Sequence, residues 1–200
     1  MAKSRYLKAT LLASLVMAAL ALIAVGVSTA IFTSSATVGS NTFNTGTLVI
    51  GTSPTSAIWT AVTAGAPGDR VTGSLTVSNT GTLALRYAVT AGNTNATLAA
   101  AMNLRIGLQA GGSCDFPYFN TDGTTTTLTD DTQLFSGTMN TTAIIGNNAQ
   151  GAQAGDRTLA ASGSEALCFS AVLPLSAGNT LQGLSNTVTF TFDAEQTVNN

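Results

Sequence analysis

A hydrophobic period of two dominates this chain. In Val71-Thr72-Gly73-Ser74-Leu75-Thr76-Val77-Ser78 the odd positions are apolar or glycine and the even ones carry hydroxyls or threonine, as a strand with one face in a core and the other in water requires. Leu83, Leu85, Tyr87 and Val89 alternate with Ala84, Arg86, Ala88 and Thr90, and Asn79-Thr80-Gly81-Thr82 between the two runs has the residues of a hairpin turn. Near the C-terminus Val188, Phe190, Phe192 and Ala194 alternate with Thr187, Thr189, Thr191, Asp193 and Glu195. Further strands are expected at 42–50, 57–62, 104–108, 157–160 and 166–173, the last apolar on both faces and therefore central in its sheet. Short strands broken by Gly, Asn and Ser at intervals of about ten residues indicate an all-β, antiparallel, jelly-roll-like sandwich. No amphipathic helix is expected after residue 30, and 111–155 reads as long surface loops or an insertion between strands.

Composition removes whole classes of function. The 200 residues include 34 Thr but no His, and only 8% are charged. Without imidazole there is no His-ligated zinc, no Ser-His-Asp or Cys-His nucleophile and no His general base. The seven basic residues, Lys3, Arg5, Lys8, Arg70, Arg86, Arg105 and Arg157, are too few and too scattered to form a phosphate-neutralising face, so no nucleic-acid partner is expected.

Three of those cations open the chain and are followed by an uncharged stretch at 9–27, then by Ser28-Thr29-Ala30. A cationic start, an apolar segment and a small-residue exit make a secretory signal peptide, with cleavage expected between Ala30 and Ile31. The alternative is a retained membrane anchor helix, since about 20 apolar residues span a bilayer; only through such an uncleaved segment would the protein meet a membrane. The expected organisation is therefore 1–30 as signal peptide or anchor, 31–41 as an N-terminal extended segment, and 42–200 as the sandwich. Residues 31–200 carry four Arg against nine Asp or Glu and no Lys. Cys114 and Cys168 are expected to form one disulfide in an oxidising compartment, two buried free thiols being the alternative.

Other polar groups suggest less. Asp193 and Glu195 share one face of a strand with about 7 Å between their β-carbons, close to a paired-carboxylate glycosidase, but no aromatic sugar platform accompanies them and a solvated strand face is the expectation. Asn120, Asp122, Asp130 and Asp131 could offer oxygen ligands to calcium, yet the loop lacks the EF-hand pattern and reads as polar surface. Asn95-Ala96-Thr97 and Asn140-Thr141-Thr142 are glycosylation sequons. No catalytic residue, metal site or cofactor is expected.

Three blocks carry a family resemblance. The first is Ser28-Thr29-Ala30-Ile31-Phe32 followed by Asn41-Thr42-Phe43-Asn44-Thr45-Gly46-Thr47-Leu48-Val49-Ile50. The second is Ala66-Pro67-Gly68-Asp69-Arg70-Val71-Thr72 followed by Leu75-Thr76-Val77-Ser78-Asn79-Thr80-Gly81-Thr82-Leu83 and Tyr87. The third is Gln182-Gly183 with Thr187-Val188-Thr189-Phe190-Thr191-Phe192-Asp193-Ala194-Glu195-Gln196. In this order and behind this leader, the chain resembles the TasA/camelysin-like biofilm-matrix fibre proteins with SipW-type signal peptides, to which archaeal bundling pili are similar. One departure is that Thr33 stands where the family often has an acidic or amide residue.

The resemblance implies an exported jelly-roll subunit, clipped by a dedicated signal peptidase and polymerised outside the cell with identical subunits, each donating its N-terminal strand to the next. In 31–39 of this chain Phe32, Ser34, Ala36 and Val38 share one alternating face behind the new terminus Ile31, and no residue is charged. Such a strand can complete a neighbour's sheet, and head-to-tail addition yields a fibre. The bland alternative makes 31–41 a tether or an edge strand of its own subunit. At the level of function the second reading is a monomeric, secreted or membrane-anchored β-sandwich that binds a polysaccharide or surface protein. Camelysin-like members have been described as metalloproteases, but this chain has neither HExxH nor any other His, so that activity is not expected of it.

Overall fold

The structure, a computed structural model, describes residues 6, 8, 10–15, 44–59, 65–109, 114, 120, 122–125 and 132–198. The chain divides into two compact units, Met1–Phe43 and Asn44–Asn200. In the first, Tyr6, Lys8 and residues 10–15 are helical, and the Thr10 and Ser14 hydroxyls donate to the carbonyls of Tyr6 and Leu11. Among the described residues no helix is long and apolar enough to cross a membrane. The expected cleavage point Ala30/Ile31 and donor residues Ile31, Phe32, Ser34, Ala36 and Val38 lie outside the described residues.

The second unit is an antiparallel β-sandwich. Its described strands are β1 (Ile50–Ser53), β2 (Arg70–Asn79), β3 (Leu85–Asn93), β4 (Asn103–Leu108), β5 (Thr132–Thr138), β6 (Ala143–Ile145), β7 (Arg157–Leu159), β8 (Ser164–Val172) and β9 (Val188–Gln196), with one short helix, α1 (Ala96–Ala101), between β3 and β4. One sheet has the order β1-β2-β8-β4-β5, and in the other β3 is paired with β6, β7 and β9. β9 runs along β3 from Leu85 to Asn93, so β6 and β7 share the opposite edge of β3, at Val89–Thr90 and at 85–87.

The two sheets close on one core. Leu75 and Val77 of β2, Leu104 and Ile106 of β4, and Leu167, Phe169 and Ala171 of β8 face Leu85, Tyr87, Val89 and Ala91 of β3. Phe169 and Phe190 meet across the sheets with ring centroids 4.9 Å apart, inside the range of favourable tilted aromatic pairs. The three strongly alternating runs are β2, β3 and β9. β8 is the middle strand of its sheet, and its outward residues Cys168, Ser170 and Val172 are as buried as its inward ones; Cys114, bonded to Cys168, lies on that outer face. That second covered face is why this segment reads as apolar throughout.

Several expectations fail for identifiable reasons. Asn79-Thr80-Gly81-Thr82 is not a hairpin: β2 and β3 lie in different sheets. The Asn79 side chain is buried and accepts from Gly81 N at 3.0 Å while its Nδ2 donates to the carbonyls of Leu83, Leu159 and Ala160 at 2.8, 3.3 and 3.0 Å. This turns the chain across the end of the sandwich, where Thr80 and Thr82 also bond back to Val49 and Thr47. Of the expected strand 42–50, residues 42–43 lie outside the described residues and of 44–50 only Ile50 enters a strand; Thr47 and Val49 run beside 80–83, and a Cβ on Gly81 would overlap the Thr47 carbonyl. Residues 57–59 form no strand, and 60–62 lie outside the described residues. The stretch 111–155 contains β5 and β6, hidden from a pattern reading because β5 is a mostly exposed edge strand and β6 has three residues. α1 is not amphipathic but an Ala-rich turn whose N-cap, Asn95, accepts from Leu98 N.

Replacing Asn79 with Ala removes its donation to the carbonyls of Leu83, Leu159 and Ala160 and takes the acceptor from the Gly81 N–H at the sheet crossing. The expected loss is about 3 kcal/mol, or a melting temperature lower by roughly 6–12 °C for a domain of this size, measurable by calorimetry.

Candidate functional site

The sandwich is covered unevenly at its two sides. On one side β5 contacts β6 across the sheets. On the other, β1 pairs only four residues of β2, Thr76 to Asn79, and among the described residues β9 is paired on one edge alone, to β3. Ile50, Gly51 and Thr52 face Phe190, Thr191 and Phe192 across a groove of about 320 Å³. The apolar residues of its wall, Ile50, Phe190 and Phe192, are half-buried and pack on the core.

Local sequence builds this seam. Pro54 ends β1, since proline cannot extend a ladder with an N–H, and the chain turns inward instead of continuing along β2. Gly73 lies on the core-facing side of β2, and a Cβ there would overlap the Ile58 carbonyl; its absence lets 58–59 rest against the strand. Trp59 then stands edge-on to Phe190 at 5.9 Å and 84°, and its Nε1 donates to the Phe169 carbonyl at 3.3 Å. Backbone groups along a strand edge, beside an apolar strip, are suited to take up another strand. Neither a nucleophile-base pair nor a triad accompanies them among the described residues.

The buried charges are structural. Tyr87 of β3 is fully buried and donates to Glu165 of β8 at 2.5 Å, and Arg157 of β7 grips the same carboxylate through Nε and its guanidinium fork. Burial pushes the Tyr87 phenol well above its ordinary value, and the hydrogen bond to Glu165 pushes it further; the hydrogen bond to Glu165 likewise raises Arg157. Arg86 pairs with Glu195 directly across β3 and β9.

The remaining sequence-level candidates are dispersed. Cys114 and Cys168 are joined in a disulfide with Cα atoms 5.5 Å apart. Glu195 is not on a solvated face: besides Arg86 it accepts from Gly151 N, because residues 146–156 fold over the outside of β3 and β9. Asp193 remains exposed, with Asn148 Nδ2 at 3.5 Å, so the two carboxylates do not share an environment. Asp122 accepts from the hydroxyl and the backbone N–H of Thr124, which together hold its carboxyl below the usual range. Asn120 donates to the same hydroxyl, whereas Asp130 and Asp131 lie outside the described residues. Pattern reading missed the seam itself; a proline directly after a four-residue strand and a lone tryptophan beside it were its only local signals.

Fold and site together define a disulfide-bonded β-sandwich with one edge unsealed among the described residues. A family model described as camelysin metallo-endopeptidase matches residues 6–200, and the chain belongs to this family, which includes TasA. The match runs through 95–165, where no likeness is visible by eye. Members are associated with the cell surface or extracellular space, and at family level this is a secreted structural matrix protein. No curated protein matches the chain.

The family description implies a metal, and the donor set is the test of it. The chain has no His, both cysteines are in the disulfide, and among the described residues no three acidic or sulfur side chains converge as a metal cluster. Catalytic zinc takes three protein ligands, typically His with a carboxylate or cysteine. The residues present do not fit such a centre, and no peptidase step is assigned to any of them.

Because the unfolded Tyr87 phenol titrates near pH 10 and the folded one higher, the native state retains a proton that the unfolded state loses. Its contribution is complete below pH ~10 and falls as pH rises through the folded value. Tyr87→Phe is expected to lose about 1.5–3 kcal/mol at pH 7 through the hydrogen bond to Glu165, yet to show a shallower decline between pH 9.5 and 11. Urea midpoints across that range measure both effects.

Proposed function

We propose that this protein is the subunit of an extracellular filament, exported with cleavage between Ala30 and Ile31, whose residues 31–39 complete the β1/β9 seam of the next copy. The observation that carries the reading is that seam: half-buried Ile50, Phe190 and Phe192 beside a strand edge of β9 that no described strand pairs. Lengths agree as well. Residues 31–39 form a nine-residue segment, β9 has nine residues, and each spans about 30 Å when extended. The donor's side chains are all uncharged and Phe32, Ala36 and Val38 share one face, which suits an apolar groove. Family membership places the chain among secreted matrix proteins, where such assembly has a use.

Two measurements test this. Protein from the native cell surface is expected to have the mass of residues 31–200 less two hydrogens and to form filaments under negative stain. Deleting 31–39 is expected to abolish filaments while leaving a folded monomer, and a synthetic peptide of residues 31–39 should bind that monomer and block growth of the full-length mature protein. Normal polymerisation of the deletion variant would defeat the proposal. Full-length mass without filaments would instead favour a membrane-anchored, monomeric binding domain.

A further inference from the structure

Strand directions define two ends of the sandwich. β2 runs from Arg70, opposite Val172, to Asn79, opposite Ile50, and β9 runs from Val188, opposite Asn93, to Gln196, opposite Leu85. The upper end therefore holds 46–49, which bond to 80–83, and Thr197, which bonds to Ala84. The lower end, about 30 Å away along a ten-residue strand, holds 93–103 and the β8–β9 connection, 173–187.

Among the described residues of the β-domain five large apolar side chains are exposed, by 38% to 65%: Leu48, Val49, Leu175, Leu184 and Val198. None lies on the outer face of either sheet. Leu48, Val49 and Val198 are all at the upper end, and Leu175 and Leu184 are both in the β8–β9 connection at the lower end. Scattered exposed leucines need no explanation, but clustering at two opposite poles of an otherwise Thr-rich surface does.

We infer that Leu48, Val49 and Val198 of one copy pack against Leu175 and Leu184 of the next, an end-to-end apolar contact between successive copies of this chain. This rests on the polymer reading above and extends it to a second surface. Two poles of unlike residues make a heterologous contact, which repeats without closing. The chain's course selects this partner: the residues preceding Asn44 are joined to the domain at the upper end, beside Leu48 and Val49. A segment leaving there meets the lower end of the copy stacked above it. It then runs up that copy's seam with residue 39 near Val188 and residue 31 towards Gln196, hence antiparallel to β9. The apolar end contact and the strand would thus engage the same neighbour at once, raising each other's effective concentration.

The test is a charge-swap cycle read as the critical concentration for filament growth. Leu48→Lys with Val49→Lys, and separately Leu175→Glu with Leu184→Glu, are each expected to raise it about tenfold, by placing charge against the neighbour's leucines. All four changes in one chain put Lys opposite Glu, and are expected to return the value to within about threefold of the unmodified protein. All four side chains are exposed, and circular dichroism of each monomer checks the fold. Filaments that depend on residues 31–39 but whose critical concentration none of the variants shifts would overturn this contact and leave strand donation standing. A combined variant as impaired as the product of the two would overturn it too. Failure of the unmodified protein to form any filament would remove both.

Discussion

The passage of the chain over Asn79 is the constraint from which the rest of the structure follows. Two alternating runs separated by four turn-forming residues would by default pair as a hairpin. Here one buried amide satisfies three carbonyls and an N–H at the crossing, and β3 is delivered to the opposite sheet. β2 must then find long-range partners. It takes β8 along nine residues on one edge and only the four-residue β1 on the other. β3 in turn takes β9, β6 and β7. The central strands are thus held by sequence-distant neighbours, and the edge that a hairpin would have filled is left to short or late elements. The unsealed side of the sandwich is a consequence of that crossing.

Charge inside this fold follows the same economy. With 8% charged residues, the domain uses two of its four Arg in ion pairs that join strands. Arg157 and Tyr87 share Glu165, tying β7, β3 and β8 at the upper part of the core, and Arg86 ties β3 to β9 through Glu195. A partly buried pair with further hydrogen bonds is expensive to break, because the surviving partner is left without compensation. These carboxylates are therefore committed to holding strands, which leaves Asp193 without the companion that a two-carboxylate mechanism needs.

How much of this was legible in the sequence depends on what each residue answers to. β2 and β9 announce themselves because one face is buried and the other wetter, and β8 because both faces are covered; β3 alternates in sequence although its outer residues Arg86 and Ala88 are buried too. The pairing of Cys114 with Cys168 follows from there being two cysteines in a chain whose start reads as an export leader. Pairing partners were not legible: Asn79-Thr80-Gly81-Thr82 has the same composition whether it reverses a strand within a sheet or carries it to the other one. β5 was hidden because an exposed edge strand has little alternation, and Glu195 looked solvated because the covering residues 146–156 are forty positions away and rich in Asn, Gln and Gly. The seam was least legible of all, since it is defined by the lack of a further described strand beside β1 and β9.

An open seam is a hazard as well as a site. Unpaired edges next to half-buried aromatics invite non-specific pairing, and proteins commonly blunt them with charge, proline or brevity. This chain uses all three at the β1/β9 side: Asp193 on β9, Pro54 directly after β1, and a β1 of four residues. None of these seals the groove at Ile50, Phe190 and Phe192, so protection is concentrated at its margins while its apolar middle is kept. On the proposed reading, that distribution suits acceptance of a single strand of matching length, since a longer intruder would meet the proline turn. Export processing supplies the remaining control on that reading, because only cleavage after Ala30 frees a terminal segment whose side chains are all uncharged, with its one charge, the new α-amino group, at the very end. Replacing Asp193 with Val is accordingly expected to leave the melting temperature within about 2 °C, as for other exposed sites, while increasing irregular aggregates of the 31–39 deletion monomer, measurable by light scattering.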